Sequence, residues 1–183
     1  MSATANKTPV HSLMACLLPD AVFDKVTDIK ADWLIDQEII GVALDVDNTI
    51  AKYSESLPAP EIVRWMESLR NAGIRTVIVS NSRKENRVPD ISRALGLPYI
   101  VKAGKPSRKG FLRAAEIIGT EPEHIAAIGD QIFTDVLGAK RAGCKAYIVY
   151  PRGINESPWF SVRRWIETPF IRIASKSMKG ETR

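Results

Sequence analysis

The fold is decided by residues 39–49, which read IIGVALDVDNT. Apart from Asp45, positions 39–46 are apolar or glycine, and such a run predicts a strand covered on both faces of a parallel sheet. The strand ends in two carboxylates, Asp45 and Asp47, and Thr49 follows them. In open parallel sheets the active site lies beyond the carboxyl ends of the strands, so the acidic pair marks where chemistry is expected.

The rest of the chain alternates between strand and helix patterns. Buried apolar runs predict further strands at 74–79, 99–101, 125–128 and 145–150. Helical spacing, with proline at starts and glycine at ends, predicts helices at 60–71, 87–95, 106–118 and 132–141. Short connections between these elements predict an α/β fold, a doubly wound parallel sheet of the Rossmann-like type.

Three regions are predicted along the 183 residues. A helical lead-in, residues 1–37, packs on a core formed by 38–151, and a basic amphipathic segment, 152–183, completes the chain. Within the lead-in, Thr8 and Pro9 start a short helix that runs to position 17. Residues 21–37 are expected to form short helical turns packed on the core.

Polar side chains follow the first four predicted strands, at their ends or in the loops beyond. They are Asp45, Asp47, Thr49, Ser80, Asn81, Lys105, Asp130 and Asp135. Several carboxylates converging on one edge repel one another unless a cation lies among them, and hard oxygen ligands favour Mg²⁺. Taken alone, the acidic pair also fits helix caps or solvated turn residues.

The same groups suit the hydrolysis of a phosphomonoester. A lysine and a hydroxyl can hold phosphate oxygens while one carboxylate attacks phosphorus, which divides hydrolysis into two easier steps. A second carboxylate, two residues further on, can protonate the leaving oxygen and then deprotonate the attacking water.

These residues in this order resemble the haloacid dehalogenase superfamily, whose signature DxDxT corresponds to positions 45–49. The resemblance implies that Asp45 is the nucleophile and that Asp47 is the general acid/base, with a backbone carbonyl that also ligates the metal. It implies Lys105 as the group that balances charge around an aspartyl-phosphate. It implies substrate contacts from Thr49, Ser80 and Asn81, and a Mg²⁺ shell of Asp45, Asp47, Asp130 and Asp135.

A narrower resemblance extends over about residues 11–151. The pieces Glu85-Asn86-Arg87-Val88 and GDQIFTD at 129–135 are similar to the YqeG group of the capless subfamily IIIA, which is related to mitochondrial phosphatidylglycerophosphate phosphatases. This resemblance implies conversion of phosphatidylglycerophosphate to phosphatidylglycerol. The spacings 49–60 and 81–105 leave no room for a cap domain, so an open site is expected.

The charge of the chain is concentrated in its last region. Beyond position 151 there are seven basic and three acidic residues, so this region carries +4 of the net +5. Trp159, Val162, Trp165 and Ile166 share one helical face, and Pro169 is expected to interrupt the helix. Two interpretations stay open: a helix packed on the sheet, or an amphipathic segment at an anionic membrane surface. The lead-in helix allows the same two.

Other features narrow the classes of function. The first ten residues do not resemble a secretory signal and no run of about 18 apolar residues occurs, so we expect a cytoplasmic protein, soluble or peripheral to a membrane. Cys16 and Cys144 have no metal-site spacing, and no nucleic-acid-binding motif is present. Arg87 either contacts the site or is a solvated helix start. The competing functions are a phosphatase of soluble phosphosugars or nucleotides, and a non-enzymatic scaffold that accepts phosphate.

Overall fold

The computed structural model describes residues 14–153 and 158–180, and its centre is a six-stranded sheet in which every pairing is parallel. The strands are β1 (Ala21–Phe23), β2 (Gly41–Leu44), β3 (Arg75–Val79), β4 (Tyr99–Ile100), β5 (Ile125–Gly129) and β6 (Lys145–Val149). Their order across the sheet is β1-β6-β5-β2-β3-β4. The chain therefore builds outward from β2 in one direction, then crosses over and builds in the other.

Helices cover both faces of this sheet. They are α1 (Ala31–Asp36), α2 (Pro60–Asn71), α3 (Arg87–Leu95), α4 (Lys109–Ile118), α5 (Leu137–Ala142) and α6 (Pro158–Gly180). Shorter turns are the 3₁₀ segments Val26–Asp28 and Pro122–His124 and the π-helical segment Ile132–Val136. The predicted doubly wound parallel α/β fold is confirmed.

Two apolar cores lie on opposite faces of the sheet. Trp65 of α2 and Ile91 of α3 belong to one core, and Phe111 of α4 and Ile171 of α6 belong to the other. All four residues of β2 are buried, as expected for a central strand covered on both faces. Each large apolar side chain buried in this way stabilises the fold by about 1.5–3 kcal/mol.

Strand register brings the ends of the central strands to one level. Leu44 of β2 is paired with Ile78 of β3 on one side and with Ile128 of β5 on the other. The polar residues that follow these three strands therefore emerge side by side at the carboxyl edge, at the point where the strand order reverses.

The lead-in differs from its predicted form at one strand. Helical turns are present at Val26–Asp28 and α1, but the expectation is wrong for Ala21–Phe23, which pairs with β6 as an edge strand. A strand of three residues is too short to give a periodic signal. The expected helix at 9–17 is helical over 14–17, and its earlier positions lie outside the described residues.

Several element boundaries also differ from the predicted ones. The first core strand occupies Gly41–Leu44 rather than 39–46, and the helix predicted at 106–118 begins at Lys109. The helix predicted at 132–141 is divided into a π-helical segment and α5. This happens because the carbonyl of Gln131 accepts hydrogen bonds from both Asp135 N and Val136 N, which widens the turn.

The C-terminal helix continues through Pro169, so the predicted interruption is wrong. Proline has no N–H, so the carbonyl of Trp165, four residues earlier, lacks its usual helical partner. Trp165 and Pro169 are both exposed, and water can therefore bind this carbonyl. Across residues 14–153 and 158–180, no helix is both long enough and apolar enough to cross a bilayer.

The reactivity of Cys144, which directly precedes β6, tests how tightly the core packs around it. Cys144 is 3% exposed, and burial raises the pKa of its thiol to about 12. Because the thiolate is the reactive form, we predict that iodoacetamide at pH 8 leaves Cys144 unmodified in the folded protein and alkylates it in urea. Peptide mass spectrometry on a Cys16→Ser variant measures this directly. Rapid alkylation of Cys144 without denaturant would contradict the packing.

Candidate active site

A polar cleft of about 250 Å³ opens at the carboxyl edge of the sheet. Four of the predicted site residues line it: Asp45 and Asp47 after β2, Asn81 after β3, and Lys105 after β4. The other four, Thr49, Ser80, Asp130 and Asp135, are buried. The structure thus gathers at one edge residues that are up to 90 positions apart in the chain.

The ammonium group of Lys105 links two of the carboxylates. Its Nζ atom lies 2.6 Å from Asp45 Oδ1 and 2.6 Å from Asp135 Oδ1, and it donates to the carbonyl of Val79 at 2.9 Å. These three acceptors use all three ammonium protons. The Lys105 side chain is 3% exposed, so these charge-assisted bonds are almost completely shielded from water.

Burial and charge act in opposite directions on Lys105. Burial alone would lower its pKa, but Asp135 and Asp45 outweigh burial and raise the pKa above its usual value. Burial also raises the pKa of Asp45 to about 7; Lys105 opposes this shift and Asp135 adds to it. One ammonium group therefore does not fully compensate the carboxylates around it.

Three buried carboxylates form a candidate metal centre. Asp45, Asp130 and Asp135 each offer an oxygen atom, and these atoms lie within 4.8 Å of one another. The donors are hard and the cluster carries more negative charge than Lys105 neutralises, so this donor set fits a hard divalent cation such as Mg²⁺. The side chain of Asp47 is not in the cluster; its ligation through the backbone stays a prediction.

The close approach of Asp135 to β5 requires glycine at position 129. A Cβ atom on Gly129 would lie 2.4 Å from Asp135 Cγ, which no ordinary contact allows. The amide of Gln131 donates to Asp135 Oδ2 at 3.2 Å, so the carboxylate is oriented by the turn that carries it.

Ser80, Asn81 and Thr49 differ in how they can take part. Ser80 Oγ accepts the amide of Ser82 at 3.0 Å, which leaves its own proton free to donate. Asn81 binds the backbone of Lys105 twice: Nδ2 donates to its carbonyl at 2.9 Å, and Oδ1 accepts its amide at 3.1 Å. Thr49 Oγ1 is buried, with no hydrogen-bond partner among the described residues.

Sequence reasoning missed part of the cleft wall. The additional lining residues are Tyr53, Ser82, Arg83, Gln131 and Thr134. Thr134 lies in the π-helical segment and the other four lie on loops, where no periodic pattern indicates which side chain faces the cleft. Of the two alternatives for Arg87, the structure supports contact with the site, because its buried side chain forms an ion pair with Asp47 at 2.7 Å.

Another cavity, of about 330 Å³, lies at the other end of the sheet. It opens beside the start of β3 and is lined by apolar side chains together with Arg70 and Arg75. Its lining contains no carboxylate, so the chemistry described above cannot take place there.

Helix α6 is attached to the segment that carries Asp135. The buried Glu167 accepts the amide of Ile132 at 2.9 Å, and the rings of Phe170 and Phe133 make an edge-to-face contact at 6.4 Å. Helix α6 therefore packs on the core, but not through the face that the sequence marked as apolar. The opposite face carries exposed Val162, Trp165 and Ile166, and the side chain of Trp159 lies outside the description.

Replacing Glu167 tests this attachment. In Glu167→Ala the buried amide of Ile132 loses its acceptor, so we predict a loss of about 1–3 kcal/mol in the free energy of unfolding. Glu167→Gln keeps an acceptor oxygen and should lose less. Urea denaturation of the two variants measures the difference. Equal losses would show that the charge, and not the acceptor, is what matters.

Comparison with known proteins agrees with this geometry. The family model for haloacid dehalogenase-like hydrolases matches residues 19–143. The probable phosphatase YqeG of Bacillus subtilis is 37% identical over 134 residues, covering 73% of this chain and 77% of that protein. A mitochondrial phosphatidylglycerophosphatase of Saccharomyces cerevisiae is 32% identical over 123 residues, covering 60% and 65%.

Among solved structures, an uncharacterized protein from Listeria monocytogenes superposes with a TM-score of 0.52 at 14% identity, covering 66% of this chain and 84% of that one. This likeness concerns the fold alone. The family match and the relative from Bacillus subtilis lead to one assignment: the chain belongs to the haloacid dehalogenase-like hydrolase family and is a phosphatase similar to YqeG.

Proposed function

We propose that this phosphatase hydrolyses phosphomonoesters through an acyl phosphate (aspartyl-phosphate) formed on Asp45, with Mg²⁺ as its cofactor. One observation carries the proposal. The Asp45 carboxylate lines an open cleft while its Oδ1 is held by the Lys105 ammonium at 2.6 Å. A nucleophile fixed in this way is oriented before the substrate arrives, which is where much of the rate enhancement of such enzymes originates.

Two proton transfers by Asp47 complete the reaction. Asp45 attacks phosphorus, the bond to the ester oxygen breaks, and Asp47 gives its proton to the departing alkoxide. The Asp47 carboxylate then takes a proton from water, which attacks the phosphoaspartate and releases inorganic phosphate. Mg²⁺ bound at Asp45, Asp130 and Asp135 would offset the negative charge of the phosphoryl oxygens.

Other residues act around this pair. Ser80 is proposed to donate its hydroxyl proton to a phosphate oxygen, and the buried Thr49 hydroxyl is proposed to act in the same way. Asn81 is proposed to act mainly by fixing Lys105, since its amide is already bound to the Lys105 backbone on both sides.

The proposed substrate is phosphatidylglycerophosphate. One support is the relative from Saccharomyces cerevisiae, which is a phosphatidylglycerophosphatase. A second is the open cleft: the segments at 50–59 and 82–104 hold a flap, α3 and β4, and neither of these two segments contains a domain that could cover the site. A head group attached to a bulky lipid can reach such a site without being enclosed.

The outer face of α6 offers a surface for the membrane that presents this lipid. Trp165 is 78% exposed, and further exposed residues of the same face are Val162, Ile166, Arg172, Ile173 and Lys176. Apolar side chains with a tryptophan and two cations suit the interface of an anionic bilayer. Glu167 attaches α6 to the segment that carries Asp135, so the helix is joined to an element of the site.

The nucleophile is tested by Asp45→Asn. This variant keeps the shape of the side chain and removes the anionic oxygen, so we predict that kcat for p-nitrophenyl phosphate falls by about a thousandfold or more. Circular dichroism and thermal melting should show a folded protein. If the variant kept substantial Mg²⁺-dependent turnover, Asp45 would not be the nucleophile.

The substrate is tested by a phosphate-release screen across phosphatidylglycerophosphate, a phosphosugar and a nucleotide, each with Mg²⁺ and with EDTA. We expect the highest kcat/KM for the lipid and sedimentation with anionic vesicles. Trp165→Ser should weaken vesicle binding about tenfold, because it removes a large apolar side chain. Ile35→Ser is the matched control: Ile35 is half exposed on α1, beside the amino ends of the strands.

The outcomes separate the substrate from the chemistry. Efficient turnover of soluble phosphates without vesicle binding would overturn the lipid substrate and leave the phosphatase intact. A long-lived phosphoprotein that releases no phosphate would instead favour a scaffold that accepts phosphate.

A further inference from the structure

We propose that Arg87 is a positioning residue that holds Asp47 in register for proton transfer and ties the flap, residues 50–59, to the same point. The proposal rests on the proposed role of Asp47 as the general acid. Arg87 itself does not line the cleft. It lies behind Asp47 and contacts that carboxylate.

The guanidinium group of Arg87 contacts three separate acceptors. Nε donates to Asp47 Oδ1 at 2.7 Å, one terminal nitrogen donates to the carbonyl of Lys52 at 2.7 Å, and the other donates to the carbonyl of Glu55. The planar fork of arginine can serve three acceptors at once, and a lysine cannot reproduce this geometry. Asp47 and the flap are therefore joined by one rigid group.

Burial makes this link strong. The side chain of Arg87 is 5% exposed and that of Asp47 is 20% exposed. An ion pair shielded to this degree is less weakened by solvent than one at the surface, and removal of one partner leaves the other uncompensated. Within the described residues, Arg87 is the one cation within ion-pair distance of the Asp47 carboxylate.

The flap has a second attachment from the same segment. Lys84 donates to the carbonyl of Tyr53 at 2.9 Å, and its ammonium lies 3.8 Å from the centre of the Tyr53 ring. Tyr53 lines the cleft. The segment from Lys84 to Arg87 thus holds both the flap that borders the substrate and the carboxylate that acts on it.

The position of Arg87 argues against a direct role in phosphate binding. Arg87 is not among the residues that line the cleft, and its guanidinium group donates to Asp47 and to two backbone carbonyls of the flap. The effect of Arg87 on the reaction therefore passes through Asp47, and the flap contributes by holding the same guanidinium group against that carboxylate. A displacement of about 1 Å in a group that transfers a proton costs roughly a hundredfold in rate.

Leaving-group chemistry distinguishes positioning of an acid from a general structural role. An alkoxide must receive a proton as it departs, whereas p-nitrophenolate is stable as an anion and needs none. The ratio kcat/KM reports steps up to the first irreversible one, here the phosphorylation of Asp45. A misplaced Asp47 should therefore slow alkyl esters far more than the nitrophenyl ester.

The experiment compares glycerol 2-phosphate with p-nitrophenyl phosphate in six proteins: wild type, Arg87→Met, Arg87→Lys, Asp47→Asn, the double variant Asp47→Asn/Arg87→Met and a control variant. We expect Arg87→Met to lower kcat/KM for glycerol 2-phosphate about a hundredfold. We expect a loss below about tenfold for p-nitrophenyl phosphate, since acid catalysis is not needed there. Arg87→Lys should recover part of the loss.

Arg93→Met is the matched control, because Arg93 lies on the same helix, is exposed and contacts Asp90. This variant should leave kcat/KM unchanged for both substrates. In the Asp47→Asn background, Arg87→Met should add no further loss for glycerol 2-phosphate. If Arg87→Met does not fold, as judged by thermal melting, Arg87→Lys supplies the same comparison between substrates.

Two results would overturn the proposal for Arg87 alone. One is an equal loss on both substrates, which marks a structural role; the other is a further loss in the double variant, which marks action independent of Asp47. If Asp47→Asn lowered kcat/KM equally for both substrates, Asp47 would not be the general acid. The proposal for Arg87 would then be wrong as well.

Discussion

The rest of the site depends on the ammonium group of Lys105 lying between two buried carboxylates. Asp45 and Asp135 are almost completely shielded from water, and buried charges are tolerated only when they are paired and hydrogen-bonded. Lys105 satisfies both conditions at 2.6 Å on each side. Its own position is fixed through its backbone by Asn81, so the residue that compensates the carboxylates is itself held from the neighbouring strand.

The order of the parallel strands places these residues close enough to interact. The register of β2 with β3 and β5 sets Asp45 and Asp130 side by side, and the π-helical turn after Gln131 returns Asp135 to the same point. Gly129 is required there, because any side chain would overlap the Asp135 carboxylate. Sheet topology thus brings the groups together, and local backbone geometry brings them to contact distance.

Much of the central site was predictable from sequence because each main strand is an apolar run that ends in a polar residue. Asp45 and Asp130 are visible in this way without any knowledge of tertiary structure. Strand β1 was not predictable, because a strand of three residues is too short to show a periodic pattern. Glu167 was not predictable, and for Arg87 contact with the site was one of two alternatives. Each side chain contacts a partner 35 or 40 positions away, and composition on a helix face cannot reveal which charge is buried.

Arg87 and Glu167 stabilise the surroundings of the site in the same way. Arg87 joins the flap to Asp47, and Glu167 joins α6 to the turn that carries Asp135. Each is costly to bury and would be destabilising without its partner, so each strongly favours one arrangement of a peripheral element over its alternatives. Apolar packing, such as that of Ile171 on α6, is non-directional and by itself fixes the position of a peripheral element only loosely. A buried charge with a specific partner supplies that positioning, because it accepts only a narrow range of distances and angles.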